Sequence, residues 1–176
     1  MLNYPIKMDQ KIADIVSKLN LIPHPEGGFY RETYRSKGNI AQEALPEVFS
    51  GDRSYCTAIY FLLSHTNFSA FHRIQQDETW HHYEGGTLHV HVIDPEGNYG
   101  RFNLGKDFDK GEEPQFTVPA GTWFASSVAD KEAYALVGCT VSPGFDFKDF
   151  ELANRDELSK SYPAHQNIIH QLTREA

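Results

Sequence analysis

The sequence predicts an all-β domain, a sandwich or barrel with a few peripheral helices. Between Tyr55 and Val141 the chain divides into short runs of strand-forming residues at 55–63, 68–74, 78–83, 87–93, 99–104, 115–118, 122–128 and 133–141, with turn clusters between them. That spacing belongs to sandwiches and barrels. Within one run Leu88, Val90 and Val92 alternate with His89 and His91, the period of a strand whose two faces differ. The length of 176 residues suits a single domain at roughly 100–200 residues each.

In chain order, Met8, Ile12, Ile15, Val16 and Leu19 recur every three or four residues and predict an amphipathic helix over about 8–19, ended by Asn20 and Pro23. Pro23-His24-Pro25-Glu26-Gly27-Gly28 cannot continue a helix and reads as a loop feeding a strand from Phe29 to Arg35. His24 is read as a loop residue. Residues 36–54 are turn-rich and read as a surface excursion of little functional content. The strands follow, with Asp94-Pro95-Glu96-Gly97-Asn98 as a turn. Asn154 three residues before Glu157 predicts a capped helix that stops before Pro163, and a last helical piece near 167–172 packs on the sheet. The whole chain, 1–176, therefore reads as one domain: a peripheral helix at about 8–19, a β-barrel at about 28–145 and a helical segment at about 150–172.

Composition narrows the function. Lys and Arg total 16 against 24 Asp and Glu, a formal charge of -8, so the cationic excess of a nucleic-acid binder is missing. Cys56 and Cys139 form no Cys-x-x-Cys pair and read as free thiols. No run approaches the roughly 18 apolar residues of a membrane span, and Met1-Leu2-Asn3-Tyr4-Pro5 opens no leader-like segment. A cytoplasmic protein that contacts neither membrane nor nucleic acid is expected.

Six of the nine histidines fall between His65 and His91, which is where chemistry is sought. The order there is His72, one residue, Ile74, three residues, Glu78, six residues, Gly85. This resembles the first motif of the cupin superfamily, which has a second His where Ile74 stands and delivers three metal ligands from two strands joined by a tight turn. The second cupin motif, Pro, one residue, Gly, two residues, His, is matched by Pro119-Ala120-Gly121-Thr122-Trp123-Phe124, with Phe124 in place of the fourth ligand. His72 and Glu78 alone are too few for a tight transition-metal site, so no cofactor is expected at that position.

Longer stretches resemble one cupin family, known as cupin-5 or DUF985, over about residues 10–172. They are Leu21 to Arg35, Ala58 to Leu63, Phe71-His72-Arg73, Asp77 to His81, and Val141 to Phe147. The resemblance implies a double-stranded β-helix, or jelly roll, paired as a homodimer, with a small-molecule pocket inside the barrel. It implies no reaction, because cupins range from sugar-nucleotide epimerases to seed storage proteins.

If strand alternation holds from Glu78, Trp80 and His82 share its inward face, while a bulge would bring in His81 instead. His72 and Glu78, on adjoining strands, are the catalytic candidates. A carboxylate beside the imidazole would make it a general base, with one ionisation between about pH 6 and 8. The competing reading is a buried polar pair with no reaction. Trp80, His81, His82, Trp123 and Phe124 are the candidate pocket walls, against ordinary core packing. Arg31 and Arg73 could clamp an anionic group, against a role in surface ion pairs. His89 and His91 lie one strand beyond the metal position and read as surface or dimer-interface residues.

The expected function is binding of a small polar or anionic metabolite, such as a sugar derivative, with proton transfer of the epimerase or isomerase type if there is a reaction. One alternative is a metal-dependent oxygenase or hydrolase in which His72, Glu78 and an imidazole from His81 or His82 hold a divalent metal. The other is a cupin that binds its ligand without turnover.

Overall fold

The computed structural model describes residues 10–130 and 133–175; Met8, which begins the expected helical stripe, lies outside them. Helix α1 is Gln10–Leu19. The strands are β1 Ile22–Pro23, β2 Phe29–Arg35, β3 Asn39–Ile40, β4 Arg53–Ser54, β5 Thr57–Ser64, β6 Phe68–Arg73, β7 Asp77–Gly85, β8 Leu88–Ile93, β9 Tyr99–Leu104, β10 Gln115–Val118, β11 Trp123–Val128, β12 Tyr134–Ser142 and β13 Glu151–Leu152. Helices α2, Arg155–Ser161, and α3, Gln166–Gln171, follow.

Two antiparallel sheets face each other in a jelly roll, one in the order β1-β2-β5-β12-β7-β10 and the other β13-β6-β11-β8-β9. From β5 onward the chain passes from sheet to sheet, apart from the β8–β9 hairpin, so strands distant in sequence become neighbours. The main core lies between the sheets and includes Phe61, Leu63, Trp80, Val90, Phe124 and Val137. β5 is apolar on both faces for a simple reason. Phe61 and Leu63 enter this core, while Leu62 packs outward on Ile12 and Leu21, with Ile15, Val16 and Leu19 of α1 alongside. The apolar stripe of α1 thus closes over the outside of the larger sheet.

On the outside of the smaller sheet, Leu158, Ile169 and Leu172 pack on Phe71, Ile93, Trp123 and Ala125. The Asn154 side chain accepts from the backbone N–H groups of Asp156 and Glu157 at 3.0 and 3.1 Å and caps α2.

The 36–54 excursion contributes more than surface. It delivers Arg53, whose Nε and Nη2 donate to Asp149 at 2.7 and 2.5 Å, with both side chains buried. Gln76 Nε2 adds a bond to Asp149 at 2.6 Å. This network anchors the turn Phe147–Asp149, which borders the cavity described next.

Candidate functional site

A cavity of ≈ 440 Å³ opens between the sheets, its deep end lined by His24, Glu26, His72, Glu78 and Cys139. Its walls are mostly apolar and include Phe145, Phe147 and Phe150, the last with its ring 5.3 Å from that of His72. Phe147 is 51% exposed, which puts it at the mouth.

Glu26 reaches the interior because of its backbone. Gly27 and Gly28 both take positive φ, 118° and 73°, turning the chain immediately after Glu26. A Cβ at Gly27 would drive into the Phe68 carbonyl oxygen and the Arg174 guanidinium. Arg174 Nη2 donates to the carbonyl oxygens of Glu26 and Phe68 at 3.1 and 3.0 Å and pins the loop from the C-terminal end.

Glu26 Oε2 then lies 3.0 Å from His72 Nε2, and Glu26 Oε1 accepts from Ser69 Oγ at 2.8 Å. His72 Nδ1 is 2.7 Å from the Ala70 carbonyl oxygen, which can only accept, so Nδ1 carries a proton. Burial lowers the His72 pKa and raises that of Glu26. Both directions favour the uncharged pair, with the Glu26 carboxyl donating to Nε2. The backbone N–H of Glu26 donates to His24 Nδ1 at 3.3 Å, which leaves the His24 proton on Nε2, and burial holds this imidazole neutral as well.

Glu78, on β7, lies beside the thiol of Cys139 on the neighbouring β12. Burial pushes its pKa up to about 7. The deep end of the cavity thus holds a carboxyl poised near neutrality beside an uncharged carboxyl and imidazole pair.

The family description "Cupin superfamily (DUF985)" matches residues 13–153. The chain belongs to this family. This DUF985 cupin is 31% identical over 157 residues to the uncharacterized protein YML079W of Saccharomyces cerevisiae, covering 84% of this chain and 78% of that protein. Among solved structures it is similar to protein SO0799 of Shewanella oneidensis, at 40% identity and a TM-score of 0.84 over 93% of this chain and 97% of that one. A hypothetical protein from Leishmania major matches at 39% identity and a TM-score of 0.83, over 93% and 98% of the two chains. Oxalate decarboxylase from Bacillus subtilis, at 14% identity and a TM-score of 0.53 over 88% of this chain and 37% of that one, shares the fold alone.

Of the residues singled out from the sequence, the cupin cavity gathers His72 and Glu78. They do not form the expected pair, because the carboxylate in contact with His72 is Glu26. The near-neutral ionisation expected of His72 also moves, since burial lowers the imidazole and lifts Glu78 to about 7. Trp80 faces inward as the alternation predicts, but it is core, with its ring edge-on to Phe61 at 5.8 Å. Phe124, paired with His72 across β6 and β11, covers that imidazole with ring centroids 4.0 Å apart. His81 turns to the outer face and bonds Thr140 Oγ1 at 3.2 Å. His82 is buried beside a second, shallower cavity of ≈ 390 Å³, with Nε2 3.0 Å from the Gly86 carbonyl oxygen. Trp123 belongs to the outer cluster under α2 and α3, where the Arg73 guanidinium lies 4.5 Å from its ring centroid.

Neither arginine clamps anything in the cavity. Arg73 pairs with Glu151 at 2.6 Å. Arg31 sits on a strand that borders the cavity, yet its guanidinium lies over Tyr60, 5.5 Å from the ring centroid, on the outer face of the sheet. His91 bonds Tyr99 Oη at 2.8 Å and Ser127 Oγ at 3.3 Å, and burial lowers its pKa to about 4.

The residues present do not fit the cupin metal. Among the described residues no three His, Cys, Asp or Glu side chains converge as metal ligands must. Ile74 and Phe124 offer no donor atom, and both nitrogens of His72 are engaged. Sequence reasoning missed His24 and Glu26, which lie well before the motif. The available signal was a carboxylate directly ahead of a Gly-Gly pair.

Proposed function

We propose that this cupin binds a small molecule in the barrel cavity and that the buried groups there move a proton on it, an epimerase- or isomerase-type reaction. The observation that carries the reading is the convergence of His24, Glu26, His72 and Glu78 on one enclosed space of ≈ 440 Å³, a volume typical of metabolite sites. An enclosed carboxyl with a pKa of about 7 can give or take a proton at neutral pH, as general acid–base chemistry requires. The placements of Arg31 and Arg73 remove the support for an anionic ligand and leave a polar one.

The test is to recover the ligand that co-purifies, identify it by mass spectrometry, and incubate it with the protein in D2O. Wild type should place deuterium at one carbon, and His72→Gln and Glu78→Gln should not. Tight binding with no incorporation would identify a binding cupin without turnover.

A homodimer is proposed as well. Thr79, His81, Thr117 and Thr140 give the outer face of β7, β10 and β12 an uncharged surface suited to a second copy. Sedimentation as a monomer at micromolar concentration would refute this. Among the described residues no helix is long and apolar enough to cross a membrane.

A further inference from the structure

The charges around the cavity do not balance. Glu26, Glu32, Glu78 and Asp146 stand on the acidic side, and Arg31 and Arg35 on the basic side. Arg35 is already paired, and Arg31 is turned away from the cavity. Arg31 lies over Tyr60 on the outer face. Arg35 donates to Glu32 at 3.0 and 2.7 Å, to the Phe145 carbonyl oxygen at 3.1 Å and to Ser54 Oγ at 3.4 Å. Glu32 is thereby neutralised, and Asp146 is a half-buried cap that accepts from the backbone N–H of Lys148 at 2.9 Å and faces the charge of Arg35. Glu26 is satisfied by Ser69 and His72. Glu78 remains. It is 8% exposed, lines the cavity, and among the described residues has no side-chain donor beside it stronger than the weak thiol of Cys139.

We infer that the cavity takes a cationic ligand, an ammonium group on a compact apolar or aromatic body, with the charge set against Glu78 and the body against Ile59, Phe145 and Phe147. This deepens the reading of the cavity as a ligand site and rests on it. Three kinds of head group can be compared. An anion would meet carboxylates and no guanidinium turned into the cavity. A polyol would bring several hydroxyls against Ile22, Ile59, Phe61, Ile74, Val141 and Phe150, which offer no hydrogen-bond partner, and each unmatched hydroxyl is penalised. An ammonium group concentrates its polarity at one point, where Glu78 supplies the opposite charge, and the aromatic side chains of the lining take the body.

The experiment compares three probes of nearly equal size, 2-phenylethylamine, 2-phenylethanol and phenylacetate, by calorimetry and ligand-observed NMR on the intact protein near neutral pH. The amine should bind about tenfold or more tighter than the alcohol, with the carboxylate weakest. In Glu78→Gln the amine should fall to the level of the alcohol. If that variant does not fold, the ranking on wild type decides by itself. The alcohol matching or beating the amine, or the carboxylate binding best, overturns the inference and leaves the cavity a ligand site. If none of the three binds, the reading of the cavity as a ligand site fails, and the inference with it.

Discussion

The Glu78 carboxyl ties the site to the stability of the fold. Its pKa is about 7 in the folded protein against an ordinary 4.5, and burial is the main cause. Because the folded value is the higher one, the native state keeps a proton that the unfolded chain releases. Glu78 therefore carries no penalty below about pH 4.5, destabilises increasingly as pH rises, and reaches its full effect a little above 7. The difference corresponds to about 3 kcal/mol, a large share of a domain's net stability. Replacing Glu78 by Gln keeps the size and removes the ionisation. Urea unfolding of wild type and Glu78→Gln should be followed from about pH 5 to about pH 8, where the variant should gain about 2–3 kcal/mol relative to wild type. Other titrating groups act on both proteins and cancel in the comparison. A difference that stays constant across this range would show that Glu78 ionises normally and that the cavity is wetter than its lining suggests.

Asp149→Ala should lose about 3–5 kcal/mol in denaturant unfolding, because Arg53 would be left buried without its partner. Gly27→Ala should destabilise by at least about 2 kcal/mol, since a side chain at φ 118° is strained and its Cβ meets the Phe68 carbonyl. The same variant should displace Glu26, and unchanged His72 ring resonances would contradict that. Phe147→Ala, at a position 51% exposed, should leave stability within about 0.5 kcal/mol of wild type while weakening 2-phenylethylamine binding by calorimetry. Unchanged affinity would remove Phe147 from the mouth.

The strands were legible because their chemistry is local. β8 alternates, β5 and β12 are apolar on both faces, and turn residues separate the runs, so the boundaries expected between 55 and 141 fall within about two residues of those in the structure. α1 announced itself by its stripe and α2 by its Asn154 cap. The site was legible only where the cupin motif reached. His72 and Glu78 were found because their spacing reflects two successive strands, which in the structure face each other from opposite sheets. Glu26 enters from a loop outside the motif and is placed by Gly27, Gly28 and an arginine 148 residues away in sequence, a relation that no local pattern carries. The aromatic candidates failed for another reason. Strand alternation assigns a side chain to a face, but it does not say whether that face meets a cavity or packed core. Trp80 faces inward and still lies behind Phe61. Trp123 begins its strand facing away from the barrel, toward α2 and α3.

The substitutions that break the metal site also account for the state of the carboxyl that remains. A cupin metal would balance Glu78 with positive charge. Ile74 and Phe124 remove two donors and replace them with apolar surface, both side chains being almost fully buried. The carboxyl loses its cation and its solvation together, which raises the cost of its charge from two directions. Of the polar groups left nearby, His72 is occupied by Glu26 and the Ala70 carbonyl, and burial opposes its protonation. Glu78 therefore has two routes to neutrality, a proton or a cation brought in from outside. These are alternatives at one pair of oxygens. A residue that looks like a remnant of an abandoned metal site is in this way the group whose charge a ligand can complete.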